Sequence, residues 1–91
     1  MRPIVIYTKA FCPYCHAAKA LLTSKGAGFE EISVDGDRAG QAAMAAKAGG
    51  RWTVPQIFIG GEHVGGCDDI HDLDDAGKLD ALLTGDPLPA E

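Results

Sequence analysis

Long apolar runs are missing from this sequence. The longest uncharged stretch, Trp52 to Gly61, is broken by Pro55 and by Gly60-Gly61, well short of the ~18 residues that a membrane span needs. No membrane-spanning protein is expected. Positive charge is also scarce: 8 Lys and Arg against 13 Asp and Glu leave a net charge of −5, and the basic residues are scattered. Nucleic-acid binding, which rests on several Lys or Arg contacts to phosphate, is therefore not expected. No secretory leader is visible, because Met1-Arg2 followed by Pro3 to Tyr7 is too short for one and no small-residue cleavage site follows. A cytoplasmic chain is the expectation. Cysteine is sparse and odd in number, and three cysteines fit poorly with a disulfide-stapled secreted fold. Cys12 and Cys15 form one Cys-x-x-Cys. The other candidate ligands, Cys67, His16, His63 and His71, add no second such pair and no His-x-x-x-His. A redox pair is expected here, and no metal.

What is present reads as one small α/β domain. Its 91 residues are too few for two cores, and 46% hydrophobic content is ordinary for a globular chain. Ile4 to Thr8 is a β-branched and aromatic run, as expected of a strand covered on both faces. Ala17, Ala18, Leu21 and Leu22 recur at helical spacing between Pro13 and Lys25, with Gly26 as the stop. Phe29 to Val34 reads as a second strand, and Asp37 caps a second helix through about Ala48. Gln56 to Ile59 and Glu62 to Val64 flank Gly60-Gly61 as a hairpin. A last helix is predicted from Asp68 to Leu83, with a possible break at Gly77. The order β-α-β-α-β-β-α implies a mixed four-stranded sheet flanked by helices over residues 1–83, with 84–91 as a short frayed tail.

The Cys12-Pro13-Tyr14-Cys15 site falls where the first strand hands over to the first helix. Pro13 suits the first helical position, which makes Cys12 the N-cap. A thiolate there receives free backbone N–H groups and the positive end of the helix dipole, and such thiols fall to roughly 3.5–7.5 from about 8.5. Cys15, one turn along, can close a disulfide with Cys12 but lacks that charge stabilisation. Cys12 therefore reads as the nucleophile and Cys15 as the resolving thiol.

Tyr7 to Cys15 resembles the active-site segment of the dithiol glutaredoxins, Thr53 to Gly61 their cis-proline loop and hairpin, and Gly65-Gly66-Cys67-Asp68-Asp69 their third signature. The three motifs stand in order across residues 3–83 and look most like the short bacterial type-three glutaredoxins. The resemblance implies a thioredoxin-like fold and a glutathione-dependent thiol–disulfide oxidoreductase that reduces protein–glutathione mixed disulfides and protein disulfides. Glutathione is implied as the reducing co-substrate, with no bound cofactor. Glutathionylated or disulfide-bonded proteins, ribonucleotide reductase among the candidates, are the implied partners of a monomer.

It also implies roles around Cys12. Lys9 and Arg51 flank the side that receives the glycyl carboxylate, and Tyr14 forms a wall of the groove. A cis bond at Pro55 turns the Val54 backbone toward the bound cysteinyl residue, with Thr53 beside it. Free N–H groups at the last helix bind the γ-glutamyl carboxylate, and Asp69, rather than Asp68, meets the ammonium. Plain helix capping by Asp68 and Asp69 is the alternative. Cys67 is read as a small residue near the site, prone to oxidation. His16 is read as a polar helix residue, His63 and His71 as surface histidines, and the acidic run from Asp68 to Asp75 as a solvated face. Two rival functions share the Cys-x-x-Cys: a thioredoxin-like reductase served by another reductant, and a module holding an iron–sulfur cluster between subunits.

Overall fold

The computed structural model describes residues 1–85, so the predicted tail lies outside the described residues except for Thr84 and Gly85. Strands β1 (Ile4–Thr8), β2 (Glu30–Ser33), β3 (Gln56–Ile59) and β4 (Glu62–Gly65) alternate with α1 (Pro13–Ser24) and α2 (Arg38–Lys47), and α3 (Cys67–Asp75) and α4 (Leu79–Thr84) follow. One sheet holds the strands in the order β2-β1-β3-β4. β1 runs parallel to β2, as the crossover through α1 requires, and antiparallel to β3, which pairs antiparallel with β4.

Strand alternation sorts the core onto the two faces. Ile4 and Ile6 of β1 and Ile57 and Ile59 of β3 point to one side, where Ala18 and Leu22 of α1, Ile70 of α3 and Leu79 and Leu83 of α4 cover them. Tyr7 and Phe58 point to the other, against Met44 and Ala48 of α2 and Val34. Complete burial of a side chain such as Ile57 or Ile70 contributes roughly 1.5–3 kcal/mol. β3 is buried along its whole length because it lies between two paired strands and two helical layers. In the β3–β4 turn Gly60 and Gly61 both hold positive φ, at 60° and 83°, the backbone that a two-residue hairpin demands.

The last helix starts one residue before the expected Asp68 and breaks at the glycine named for it. It begins at Cys67 with Gly66 as N-cap, and it is two helices, separated around Gly77. The break lets α4 change direction so that Leu79 and Leu83 reach the core beside Ile70. Arg2 holds the far end of α4: its backbone N–H donates to the Leu83 carbonyl at 2.8 Å and its guanidinium to that of Leu82 at 3.3 Å. Lys25 joins the end of α1 to both later helices through Asp74 (2.6 Å) and Asp80 (3.1 Å), so the acidic face is not wholly solvated.

Candidate functional site

The end of β1 delivers the chain to α1, and Cys12 caps that helix with extended backbone (φ −135°, ψ 99°) ahead of Pro13. The Cys15 backbone N–H donates to Cys12 Sγ at 3.1 Å. From the opposite side the Val54 carbonyl stands 3.7 Å from the same sulfur, as acceptor for its thiol proton. Val54-Pro55 is cis, as the resemblance implied. The cysteines are free thiols of unequal access: Cys12 is 9% exposed and Cys15 not at all. Burial, and next the hydrogen bond with Cys12, push the Cys15 thiol up to about 12. Cys15 is thus a protonated, covered partner behind a reachable sulfur.

Next to Cys12 opens a cleft of about 230 Å³. Tyr14, Arg51, Thr53, Val54, Pro55, Asp68 and Asp69 line it, together with Gly66 and Cys67. Of the expected binding residues, Lys9 alone is not part of its lining; it sits half-buried after β1, where its backbone hydrogen-bonds the Cys15 thiol. Arg51 does not stand free. Its Nη1 donates to Asp69 Oδ2 at 3.0 Å, and the same oxygen accepts the Gly66 N–H at 2.8 Å. The Gly66 N–H first, and Arg51 second, hold the Asp69 carboxyl below its usual range. From the first turn of α3, Asp69 therefore satisfies the N–H of the Gly66 N-cap and pairs with Arg51. The Gly66 contact is the returning half of a capping box, the third helical residue reaching back to the N-cap N–H, with no side chain on Gly66 to supply the other half.

The loop carrying Val54 is fastened by side chains that sequence reasoning passed over. Gln41 of α2 donates to the Trp52 carbonyl at 2.6 Å. Gln56 donates to the Thr53 carbonyl and hydroxyl at 3.1 and 3.2 Å, and its own carbonyl faces His63 Nε2 at 2.7 Å. His63 is thus engaged although its residue is exposed, and His71 is half-buried, its Nδ1 2.8 Å from the Cys67 carbonyl and 3.4 Å from the Cys67 sulfur. Burial first, and the charge of Asp68 next, push the Cys67 thiol up, which disfavours the thiolate that oxidation requires. His16 leans its Nε2 on the Ala10 carbonyl at 3.2 Å. On the other side of Cys12, Phe11 is fully exposed.

A mixed four-stranded sheet with helices on both faces, a Cys-x-x-Cys capping the first helix, and a cis-proline loop facing the first sulfur define a thiol–disulfide oxidoreductase of thioredoxin-like fold. The glutaredoxin family model matches residues 4–64. Over 84 residues the chain is 61% identical to a glutaredoxin of Pseudomonas aeruginosa, covering 92% of this chain and 99% of that one. It is 57% identical to glutaredoxin 3 of Escherichia coli K12, over 91% of this chain and 99% of the relative. Among solved structures, glutaredoxin from Brucella melitensis superposes with a TM-score of 0.81 at 52% identity, over 97% of this chain and 96% of that one. A buckwheat glutaredoxin–glutathione complex gives 0.83 at 39%, over 92% and 78%. The chain belongs to the glutaredoxin family, the glutathione-dependent thiol–disulfide oxidoreductases. Among the described residues no helix is long and apolar enough to cross a membrane, and no cluster of His, Cys, Asp and Glu is placed to hold a metal ion.

Proposed function

We propose that Cys12 attacks the glutathionyl sulfur of a mixed disulfide while the glutathione lies in the cleft between Tyr14, the Thr53-Val54-Pro55 segment and the start of α3. The observation that carries this reading is the Val54 carbonyl, which belongs to the lining of that cleft and stands 3.7 Å from Cys12 Sγ. The cysteinyl backbone of glutathione pairs with the Val54 backbone like an added strand, Thr53 sits beside that contact, and Tyr14 walls the groove. The γ-glutamyl carboxylate meets the N–H groups at the start of α3, around Asp68, and Asp69 takes the ammonium. Lys9 and Arg51 receive the glycyl carboxylate, Arg51 by leaving Asp69. Such an exchange is cheap, because an exposed ion pair is worth only about 0–1 kcal/mol.

In the first step the Cys12 thiolate bonds to the glutathionyl sulfur, the old disulfide breaks, and the substrate thiolate leaves and takes up a proton. A second glutathione, as thiolate, then attacks the glutathionyl sulfur; oxidised glutathione leaves and the Cys12 thiolate returns. With a protein disulfide, Cys12 forms the mixed disulfide and Cys15 loses its proton and attacks the Cys12 sulfur. The protein thiolate leaves, and two glutathiones reduce the resulting Cys12–Cys15 bond. The setting is the cytoplasm, and the protein substrates are glutathionylated or disulfide-bonded proteins, with ribonucleotide reductase as a candidate. Turnover of a glutathionylated peptide by glutathione, glutathione reductase and NADPH tests this. Activity is expected in the wild type, absent in Cys12→Ser and retained in Cys15→Ser. A wild type without that activity, yet reducing insulin with thioredoxin reductase, overturns the reading.

A further inference from the structure

Gln56 is a fully buried amide at the head of a strand that otherwise holds Ile57, Phe58 and Ile59. Burying an amide costs free energy unless all its polar groups are paired, and a Leu of similar volume would carry no such cost. Every group of Gln56 is paired, and the pairing has a direction. Its NH2 faces the Thr53 carbonyl (3.1 Å) and hydroxyl (3.2 Å), so the oxygen is the atom left to meet His63 Nε2 at 2.7 Å. An amide oxygen only accepts, so His63 carries its proton on Nε2. The imidazole is itself held: His63 lies opposite Phe58 in the β3–β4 register, with the ring centroids 5.1 Å apart, and Phe58 packs edge-on against Tyr7 at 5.7 Å. A ring fixed on the sheet thus orients an amide, and the amide holds the residue immediately before Val54.

We propose that Gln56 and His63 are positioning residues for the glutathionyl substrate, with His63 setting the Gln56 amide and Gln56 setting the Thr53-Val54 backbone that the substrate pairs with. This rests on the glutathione reading above. Neither side chain lines the cleft, so both act through Thr53 and not on the reacting sulfurs.

Steady-state kinetics with a glutathionylated peptide, resolving KM from kcat, test it. His63→Phe keeps an aromatic ring on Phe58 and removes the N–H. It is expected to raise KM for the peptide by about three- to tenfold, the worth of one hydrogen bond. kcat stays unchanged, because neither side chain touches the reacting sulfurs. His63→Gln, which returns a donor, recovers most of the loss. Gln56→Leu raises KM in the same way, and His63→Phe adds nothing on top of it, since the histidine acts through the amide. A folded His63→Phe protein with unchanged KM, or with a lowered kcat, overturns the proposal. Wild-type protein unable to turn over the glutathionylated peptide overturns the glutathione reading and this proposal with it, so the wild type tells the two failures apart.

Discussion

Asn in place of Asp69 removes one charge from the point where a helix cap and an ion pair meet. Asp69 Oδ2 accepts the Gly66 N–H at 2.8 Å and Arg51 Nη1 at 3.0 Å. Both side chains are close to half exposed, 44% for Asp69 and 47% for Arg51, so solvent screening limits the ion pair to about 0–1 kcal/mol. The cap contact survives in Asn as a weaker, neutral hydrogen bond, a loss of roughly 0.5 kcal/mol. Together the change is worth about 1 kcal/mol, or about 4–8 °C of Tm in a domain of this size. The pH dependence has a definite sign. The folded carboxyl is held below its ordinary value of 3.8, so its stabilisation is complete above that value and is lost as pH falls through the lower folded one. Calorimetry of both proteins from pH 7 down to about pH 2 is the assay. The gap in Tm should be full near neutrality and shrink only below 3.8. Equal melting at pH 7, or a gap that persists undiminished in acid, would refute the reasoning. In turnover, the same variant should raise KM for a glutathionylated peptide by roughly tenfold, the cost of a lost charged hydrogen bond to the ammonium.

Further outcomes are expected elsewhere in the molecule. Brief iodoacetamide treatment of the reduced protein at neutral pH should label Cys12 and spare Cys15, which is fully covered and pushed up to about 12; peptide mass spectrometry decides it, and equal labelling would contradict the burial. Lys25→Met should lower Tm at neutral pH. Asp74, and then Asp80, raise the ammonium above its ordinary value of 10.5, so the deficit should vanish only as pH climbs through that raised value. Gly65→Ala should destabilise by about 1–3 kcal/mol in urea titration. Its φ of +127° disfavours a side chain, and the new Cβ would collide with the Asp69 carboxylate, so KM for the glutathionylated peptide should rise with it.

The order of elements along the chain and the place of the Cys-x-x-Cys were legible because they rest on local signals: β-branched runs, helical spacing of Ala and Leu, and Gly60-Gly61 between two strands. The hairpin and the N-cap at Cys12 appear where those signals put them. The end of the chain was harder. Asp68 and Asp69 suggested a cap by residue type, yet Gly66 caps α3 and Asp69 acts from the helix's first turn. The break around Gly77 was legible from the glycine itself, whereas the burial of Leu79 and Leu83 beyond it is a tertiary demand that periodicity does not report. The cleft was legible as a set of motifs, since Tyr14, Thr53, Val54 and Pro55 converge as expected. Its wiring was not. Arg51 turns to Asp69, Lys9 stays off the cleft, and Gln56 meets His63 only because β3 and β4 fold onto each other.

The difference in depth between the two sulfurs also fixes a chronology. An oxidant or disulfide arriving from solvent meets Cys12, at 9% exposure, and cannot meet Cys15, at 0%. In the mechanism we propose, Cys15 acts only on what Cys12 has already captured, and only from a distance that the first turn of α1 sets. Capture therefore precedes resolution by construction. The interval between them is a waiting period in which a glutathione from solvent competes with the neighbour beneath. A chain with both sulfurs at the surface would have no such interval, and the choice between one-thiol and two-thiol chemistry would pass from the protein to its surroundings.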